Sequence, residues 1–522
     1  MATYATDLNT VHLCDDDTGW SELSGHSSGA APSQDLESFI HNASAVSQAT
    51  GQATGTTAGM EYDYGSNISW TSGFAFFVWQ MFAAPTNIYD WANGGMRFGV
   101  GSSSGNMDFW NALGDNFGNY PYGGWQNTAI DPEVTADTTD GTPTGTYRYF
   151  GSLPNMRNKI TKGSPHVIDA IRYGRGEFQV TGTGADFSGM AAANDASTAR
   201  WGLFRATRGG FLWKGLMSLG LTGTSVTFSD SNKNIFIEDT PRVSSGFNKI
   251  EINNASSSIT WNNITILGIQ TSITGSDPVS PGDFEVVDDA TVDLTSCTFV
   301  DMGIFAFDSN STLDVCTWRR CHQVTGNEAI FDRCDFDSSP AAIAISVSDL
   351  NQVTNGHFIS DGNGHAVELT SLGTGTMTWS NVVVGYASSD GSTGDEALYV
   401  NVGSGTLNLS IATGATTPSI RTAGATVNIV SSVDLTMTVK DESGSVIVGA
   451  YAYIDDNDQT PFIMNTTTNS SGIATTPYSG SPVTGARWRV RKYGYKPFKQ
   501  IIDIGSSDIS IPVTLITDPQ QT

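Results

Sequence analysis

The chain has 522 residues, too many for one hydrophobic core of ordinary size, so several domains are expected. Only 15% of the residues are charged and 57 are glycine, a composition typical of turn-rich all-β extracellular or virion proteins rather than helical cytoplasmic enzymes. The net charge of −27 would repel phosphate backbones, so nucleic acid is not an expected partner.

The first residues carry no visible export signal. Met1 to Leu8 contain neither a basic segment nor an apolar one, so a signal peptide is not expected. An extracellular composition without an export signal fits a viral protein, which is made in the host cytoplasm and released by lysis. We therefore predict a location on a virion surface. Membrane insertion is not expected either, because no apolar run reaches the ~18 residues of a membrane span.

Residues 1–222 predict a jelly-roll-like β-sandwich. Apolar runs at 73–82 and 95–100 lie between turns rich in Gly, Asn, Asp and Pro, which is typical of sandwich strands. Residues 34–47 are the best candidate for a short helix. Segments such as Ile130-Asp-Pro132 and Asp169-Ala-Ile-Arg-Tyr-Gly174 resemble structural proteins of tailed phages in which a lectin-like jelly roll leads into a β-helix.

Aromatic residues in loop-like sequence of this region could stack on the sugar rings of a host surface glycan. These glycan-binding candidates are Trp91, Trp110, Tyr120, Tyr122 and Trp125. The alternative is that they fill the sandwich core, as large apolar residues commonly do.

Residues 223–432 contain short β-rich segments with a shared pattern. Leu294-Thr-Ser-Cys-Thr-Phe299 is similar to Leu313-Asp-Val-Cys-Thr-Trp318 and to Phe331-Asp-Arg-Cys-Asp-Phe336. The recurrence at roughly 20 to 40 residues corresponds to one or two coils of a solenoid. We predict that Cys297, Cys316 and Cys334 form a ladder of buried core positions, since free cysteine is among the most buried residue types.

This pattern resembles the right-handed parallel β-helix of the pectate-lyase-like type, an architecture that phage tailspikes share. By analogy with phage β-helix proteins, the resemblance implies self-association, most simply as a homotrimer.

Residues 433–522 predict a small β-sandwich with a short tail. Val439 to Ile454 contains two strands joined by an Asp-x-x-Gly turn. Thr466-Thr-Thr-Asn-Ser-Ser-Gly-Ile-Ala474, with a Thr-x-x-x-Gly turn, and Lys492-Tyr-Gly-Tyr495 follow. This order resembles the carboxypeptidase-regulatory-like, transthyretin-like domains, with slightly different spacing at Val446-Ile-Val-Gly449. Such domains are structural or adhesive, and the resemblance implies no catalytic residues.

A catalytic site on the β-helix would need carboxylates for acid–base chemistry close to a cation. The candidates are Asp332, Asp335, Glu328 and Arg333, which lie near one another in sequence. The alternative is that they are solvated turn residues, as most exposed carboxylates are.

No metal site or other cofactor is predicted. Cys321 and His322 would point to opposite faces of a strand, which argues against a zinc site. A structural Ca²⁺ on the acidic loop Asp15, Asp16 and Asp17 is an alternative to an exposed turn, although the loop lacks the completion of an EF-hand.

The cations are unevenly distributed and suggest docking to acidic partners. The docking candidates are Arg200, Arg205, Arg208, Arg489, Arg491 and Lys492. Complementary charge on a capsid or tail protein would orient such a contact. The alternative is that these cations neutralise acids of the chain itself.

The sequence therefore predicts a structural, surface-exposed virion protein of a tailed phage. It would be a capsid decoration, spike or fibre component that stabilises the particle or adheres to host glycan. The alternative is a polysaccharide-degrading lyase or hydrolase on the β-helix, and a bacterial surface adhesin is a third hypothesis that needs an export signal or anchor.

Overall fold

The structure is a computed structural model. It describes residues 1–27, 30–49, 58–82, 95–111, 124–154, 165–238, 240, 243, 246–268, 281–287, 289–362, 364–373, 375–387, 394–412, 414–430, 433–456, 462–478, 483–505 and 508–518. These residues confirm the predicted all-β fold class, with one short α-helix among many strands. They divide into two compact units, 1–345 and 346–522. No helix within the described ranges is long and apolar enough to span a membrane.

The first part of unit 1 is an antiparallel β-sandwich. Its strands, with β1 pairing further along the chain, are β1 (Thr3–Thr6), β2 (Asn9–His12), β3 (Trp20–Ser27), β4 (Ser33–Asp35), β5 (Ala45–Ala49), β6 (Ala58–Asp63), β7 (Ala75–Phe82), β8 (Met96–Ser103), β9 (Asn106–Asn111), β10 (Gly124–Ile130), β11 (Thr138–Asp140), β12 (Tyr149–Pro154) and β13 (Pro165–Gly174). The described strands form one sheet ordered β11-β9-β8-β12-β6-β3 and another ordered β10-β7-β13-β5-β4, with β2 also on β13. Side chains from both sheets meet in a core that includes Phe76, Phe98, Phe150 and Ile168.

The helix predicted at residues 34–47 is wrong, because this segment contains β4 and the start of β5 instead. The side chain of Asp35 accepts hydrogen bonds from the backbone N–H groups of Glu37 and Ser38, at 2.8 and 2.9 Å. Such local bonds compete with helix formation. Asn42 also adopts a positive φ of 50°, which is incompatible with a continuous right-handed helix.

The rest of unit 1 is a parallel β-helix. Its elements are β14 (Glu177–Ala185), α1 (Phe187–Asp195), β15 (Phe204–Thr207), β16 (Gly210–Trp213), β17 (Leu216–Leu219), β18 (Val226–Ile237), β19 (Lys249–Ile252), β20 (Ser258–Leu267), β21 (Asp283–Val286), β22 (Thr291–Thr295), β23 (Thr298–Val300), β24 (Phe305–Phe307), β25 (Ser311–Asp314), β26 (Thr317–Arg319), β27 (Val324–Gly326), β28 (Ile330–Asp332), β29 (Asp335–Asp337) and β30 (Ile343–Val347). Parallel pairing starts where β14 lies beside β17 and β18, which is earlier than the predicted boundary at residue 222.

The three sequence copies stack in register. Leu294 lies beside Leu313 and Leu313 beside Phe331, while Phe299, Trp318 and Phe336 form a second row. Rings in the second row lie 5.6 and 4.9 Å apart between centroids. One coil here therefore takes 18 or 19 residues, the separation of these partners, which is below the spacing that the sequence suggested.

The predicted cysteine ladder is confirmed. Cys297, Cys316 and Cys334 are fully buried on successive coils. The Sγ of Cys316 contacts the carbonyl oxygen of Leu294 at 3.4 Å, and the Sγ of Cys334 contacts that of Leu313 at the same distance. Burial raises the pKa of the Cys321 thiol, also in the interior, to about 12. These thiols are therefore core residues.

Helix α1 was missed from the sequence, although its start carries a recognisable signal. Asp186 is the N-cap, and its side chain accepts a hydrogen bond from Gly189 N at 2.6 Å. Aspartate is a favoured N-cap residue, and the alanines that follow favour helix.

Unit 2 contains further parallel strands and a small C-terminal sandwich. Besides a 3₁₀ turn at Leu350–Gln352, its elements are β31 (Val353–Thr354), β32 (His357–Ile359), β33 (His365–Leu369), β34 (Thr376–Trp379), β35 (Val382–Val384), β36 (Leu398–Val400), β37 (Thr406–Ile411), β38 (Ile420–Thr422), β39 (Thr426–Val430), β40 (Val433–Asp441), β41 (Tyr451–Asp455), β42 (Met464–Thr467), β43 (Ile473–Tyr478), β44 (Arg487–Arg491), β45 (Phe498–Ile501) and β46 (Ile509–Leu515). Parallel rows run β32-β35, β33-β36-β38 and β34-β37-β39.

The C-terminal sandwich packs the sheet β43-β40-β46 and the sheet β42-β41-β44-β45 around a core that includes Trp488 and Leu435. The predicted Asp-x-x-Gly turn is confirmed, since Gly444 N donates to the carbonyl oxygen of Asp441 at 3.0 Å.

Candidate functional site

Of the predicted catalytic residues, Asp332, Arg333 and Asp335 lie at or beside the corner between β28 and β29, whereas Glu328 lies at a different turn. Arg333 donates from Nη2 to Asp314 of the preceding coil at 2.6 Å and from Nε to Asp332 at 3.1 Å. Asp335 is exposed on β29, and Glu328 is exposed in the turn before β28. Asp314 and Asp332 occupy the same register position on neighbouring coils. The arginine thus separates and neutralises two stacked carboxylates.

A second ion pair of the same kind lies at the next corner. Arg320 donates from Nε and Nη2 to the two carboxylate oxygens of Asp301, both at 2.7 Å. This bidentate geometry is the strongest form of such a contact. Because Arg320 stacks directly over Asp301, the pair clamps two coils together.

Sequence reasoning missed a denser group of charges, here called the carboxylate ladder, which consists of Lys249, Glu251, Asp283 and Glu285. Lys249 pairs in register with Asp283, and Glu251 with Glu285. The Nζ of Lys249 lies 2.9 Å from Glu251 and also contacts Glu285. The related tetrapeptides Lys-Ile-Glu-Ile and Asp-Phe-Glu-Val, one coil apart, were a sequence signal that could have revealed it.

Electrostatics differ between members of the ladder. Burial raises the pKa of Asp283, although Ile304 N donates to its carboxylate at 2.8 Å and Lys249 lies near. Burial lowers the pKa of Lys249, but its hydrogen bonds to Glu285 and Glu251 raise that pKa overall. A carboxyl group whose pKa is raised next to other carboxyl groups is a candidate for acid–base chemistry.

Of the aromatic glycan-binding candidates, Trp91, Tyr120 and Tyr122 lie outside the described residues. The glycan-binding prediction is wrong for Trp110, because its side chain is only 1% exposed and its Nε1 donates to the carbonyl oxygen of Val134 at 2.9 Å. It is a core residue. Trp125 is half-buried on β10, beside Met81 of β7.

The acidic loop does not gather its three aspartates around one point. Asp15 accepts from Asn42 Nδ2 at 3.0 Å, while Asp16 accepts from Thr18 N at 2.8 Å in a local turn. Asp17 is exposed. Across the described ranges, no group of three or more His, Cys, Asp or Glu side chains has the arrangement to hold a metal ion.

Two of the docking candidates join the sandwich of unit 1 to the β-helix. Arg205 pairs with Glu238 at 2.5 Å, and its guanidinium lies 5.4 Å from the ring centroid of Trp79. The backbone carbonyl of Arg200 accepts from Trp79 Nε1 at 2.7 Å, and its side chain lies 4.0 Å from Asp195. Arg205 therefore neutralises an acid of its own chain, whereas Arg208 is exposed.

The C-terminal candidates fall on two surfaces. Lys492 donates to the carbonyl oxygens of Val448 and Gly449 at 3.0 and 3.3 Å, so it braces a loop. Arg489 and Arg491 project from β44 beside Tyr453 and Tyr451 of β41. Their guanidinium carbons lie 5.6 and 5.5 Å from the ring centroid of Tyr453.

Unit 2 also contains an open surface cavity of about 380 Å³. Its lining combines one aromatic ring with several hydroxyl groups, from Tyr386, Thr416, Thr417 and Ser419. Burial raises the pKa of the Tyr386 phenol, so it remains a hydrogen-bond donor at neutral pH. An aromatic side chain with a few convergent polar groups suits a small neutral ligand.

No family model and no curated protein matches the sequence. Among solved structures, the family 11 carbohydrate-binding module from Clostridium thermocellum, in complex with a β-1,3-1,4-mixed-linked tetrasaccharide, is similar with 12% identity and a TM-score of 0.21. The similarity covers 32% of this chain and 96% of that module. The catalytic domain of GH87 α-1,3-glucanase in complex with nigerose has 9% identity and a TM-score of 0.18, over 82% of this chain and 89% of that domain. Likeness at this level assigns no activity to the chain.

Proposed function

We propose that the chain is a structural and adhesive surface protein of a virion, in which the β-helix is a rigid scaffold. The observation that carries the proposal is the pairing of outward charges between successive coils, in Arg320 with Asp301 and Arg333 with Asp314. Charges committed to clamping coils stiffen a solenoid, whose repeats otherwise contact only their neighbours. Adhesion to host glycan would use the hydroxyl-lined cavity around Tyr386.

Labelling of intact particles tests the location. An antibody against the purified chain, carrying gold, should decorate the exterior of particles from the lysate of producing cells. Label confined to cell surfaces would instead favour a bacterial adhesin and overturn the virion assignment. Light scattering of the purified chain tests the expected trimer separately.

A polysaccharide-degrading activity is the second candidate, and the carboxylate ladder is the observation that favours it. Asp283 would act as the acid, and Glu251 or Glu285 as the base or nucleophile. Incubation with host exopolysaccharide, followed by measurement of reducing ends or unsaturated products, tests this. Release that Asp283→Asn abolishes and Asp332→Asn spares would replace the scaffold proposal with an enzyme. Absence of product from the wild-type chain would favour the scaffold.

A further inference from the structure

One end of the first sandwich is lined by aromatic side chains. Tyr62 near the end of β6 pairs in register with Trp20 at the start of β3, and Tyr173 near the end of β13 pairs with Phe76 of β7. Segments 64–74 and 141–148 close this end, and the structure describes both. Tyr64 is 37% exposed, and the other members of the set are half-buried. The set is here called the tyrosine rim and consists of Tyr62, Tyr64, Trp70, Phe74, Tyr147 and Tyr173.

Contacts between rings fix the orientation of the rim. The ring centroid of Phe74 lies 6.3 Å from that of Tyr173 and 5.8 Å from that of Trp70. Trp70 in turn meets Tyr147 edge to face, with centroids 4.9 Å apart. Edge-to-face contact is a preferred geometry of aromatic pairs. Because neighbouring rings already hold these side chains, little side-chain entropy is lost when a ligand packs on them.

The hydroxyl groups of the four rim tyrosines are free to bind a ligand. Among the described residues, no group forms a hydrogen bond with these hydroxyls, whereas the nearby Tyr149 donates to Asp63 at 2.9 Å. Burial raises the pKa of Tyr62 and of Tyr173, and the adjacent Tyr64 adds to the rise in both. Both phenols therefore keep their protons at neutral pH, and a phenol can donate one hydrogen bond and accept others.

The surroundings of the rim are acidic. Besides burial, the carboxylates of Asp16 and Glu133 raise the pKa of rim phenols, the first acting on Tyr62 and the second on Tyr147. The guanidinium of Arg148 at the same end is bound to both carboxylate oxygens of one residue, Asp63, at 2.7 and 2.8 Å. An anionic ligand would be repelled by this field, so the rim favours a neutral one.

We propose that the tyrosine rim binds a neutral saccharide. This inference rests on the proposed adhesive function, but it assigns the contact to unit 1, with residues other than those of the cavity around Tyr386. The apolar face of a sugar ring can pack on a tyrosine ring, while the sugar hydroxyls exchange hydrogen bonds with the phenols. Sites of this kind are lined by aromatic side chains with a few placed polar groups.

A folded protein partner is disfavoured by the size of the rim. A stable protein interface buries about 800 Å² on each partner and takes 20 to 30 residues a side. The rim offers six side chains, which suit one or two sugar units. Tyrosine also supplies rigid, amphipathic contact area at a low cost in side-chain entropy.

Binding of surface polysaccharide by the full chain tests the proposal. The probe is the neutral fraction of polysaccharide from the surface of producing cells, separated from the acidic fraction by anion exchange and titrated by calorimetry. Tyr64→Ala should raise the Kd by about tenfold, because it removes both ring and hydroxyl. Tyr64→Phe keeps the ring and should raise the Kd by about threefold. The matched control is Tyr493→Ala, a tyrosine of the C-terminal sandwich that is 84% exposed, which should leave the Kd within about twofold.

Four outcomes would overturn the proposal. The neutral fraction does not bind, the acidic fraction binds more tightly than the neutral one, a proline-rich decapeptide binds while the neutral fraction does not, or Tyr386→Phe weakens binding and Tyr64→Ala does not. The last result would place adhesion in the unit 2 cavity and leave the proposed function intact. Labelling of particles tests the virion location independently of any of these, and circular dichroism melting confirms that the variants fold.

Discussion

His166 lies on β13 in the interior of the first sandwich and is fully buried. Among the residues that the structure describes, neither of its ring nitrogens has a hydrogen-bond partner. Burial lowers its pKa to about 3, because the charged imidazolium would lose its hydration. The residue is therefore neutral in the folded state, whereas it is half protonated near pH 6.5 in the unfolded chain.

We predict that this histidine makes folding sensitive to acid. Between pH 6.5 and 3 the unfolded chain binds a proton that the folded chain does not, so stability falls as the pH falls. The loss from this residue between pH 7 and pH 4 should be about 3 kcal/mol. Urea unfolding of wild type and His166→Leu at both pH values measures it, and an identical pH dependence in the two proteins would contradict the prediction.

The buried carboxyl group of Asp169, three residues along β13, changes stability with pH in the opposite direction. Burial raises its pKa to about 7, although the N–H groups of Ile40 and His41 donate to it. A carboxyl with a raised folded pKa contributes stability below its unfolded pKa and loses it as the pH rises towards 7. Comparison with His166→Leu isolates the histidine, because Asp169 is unchanged in both proteins.

At the scale of elements, the coils of the β-helix turn at corners whose residues adopt positive φ. One row of corners contains Asn232, Asn263, Ser296, Val315 and Arg333, with φ between 53 and 56°. Asparagine tolerates this conformation, and Asn263 Nδ2 donates to Asn232 Oδ1 at 2.7 Å. Val315 is the unfavourable residue of this row, since a β-branched side chain is strained at positive φ.

Val315→Asn should therefore stabilise unit 1 by about 1 kcal/mol. It relieves the strain at φ 56° and places an amide beside the neighbouring corners. Denaturant unfolding measures the change, with Thr312→Asn on the adjacent strand as the control, which should be neutral or slightly destabilising. A loss of stability in Val315→Asn would show that the exposed valine contributes packing instead.

At the scale of the molecule, unit 1 is held together by a buried charge cluster between its sandwich and its β-helix. Lys214 is 1% exposed, donates to the carbonyl oxygen of Asn127 on β10 and lies 3.1 Å from Glu238. Burial alone would raise the pKa of Glu238, but Lys214 and Arg205 lower it. Phe77 and Phe247 stack nearby, with centroids 6.0 Å apart.

Lys214→Met should destabilise unit 1 by about 3 to 5 kcal/mol, because it removes one partner of a buried ion pair. It should also separate the unfolding of the sandwich from that of the β-helix, which differential scanning calorimetry would record as an additional transition. Lys233→Met is the control, since that partly exposed lysine lies 3.9 Å from Asp230 and should change stability by less than about 0.5 kcal/mol. One unchanged transition in Lys214→Met would contradict the role of the cluster.

Local sequence pattern was sufficient to predict three features of the structure. These are the all-β class, the stacked copies around Cys297, Cys316 and Cys334, and the turn at Asp441. Each depends on alternation, turn chemistry or a repeated segment, which the chain carries within a few residues. The same local reasoning missed α1 and misread residues 34–47, where the Asp35 side chain accepts hydrogen bonds from the backbone of Glu37 and Ser38.

The candidate sites depended on long-range register, which the sequence does not state. Lys249 meets Asp283, and Arg491 meets Tyr451, only because strands of distant segments pair side by side. Burial likewise decided that Trp110 belongs to the core and that Arg205 neutralises Glu238. Composition and short-range pattern thus determined the all-β fold class. Tertiary pairing decided which charges lie together, because a side chain's neighbours across a sheet lie one coil or one hairpin away in sequence.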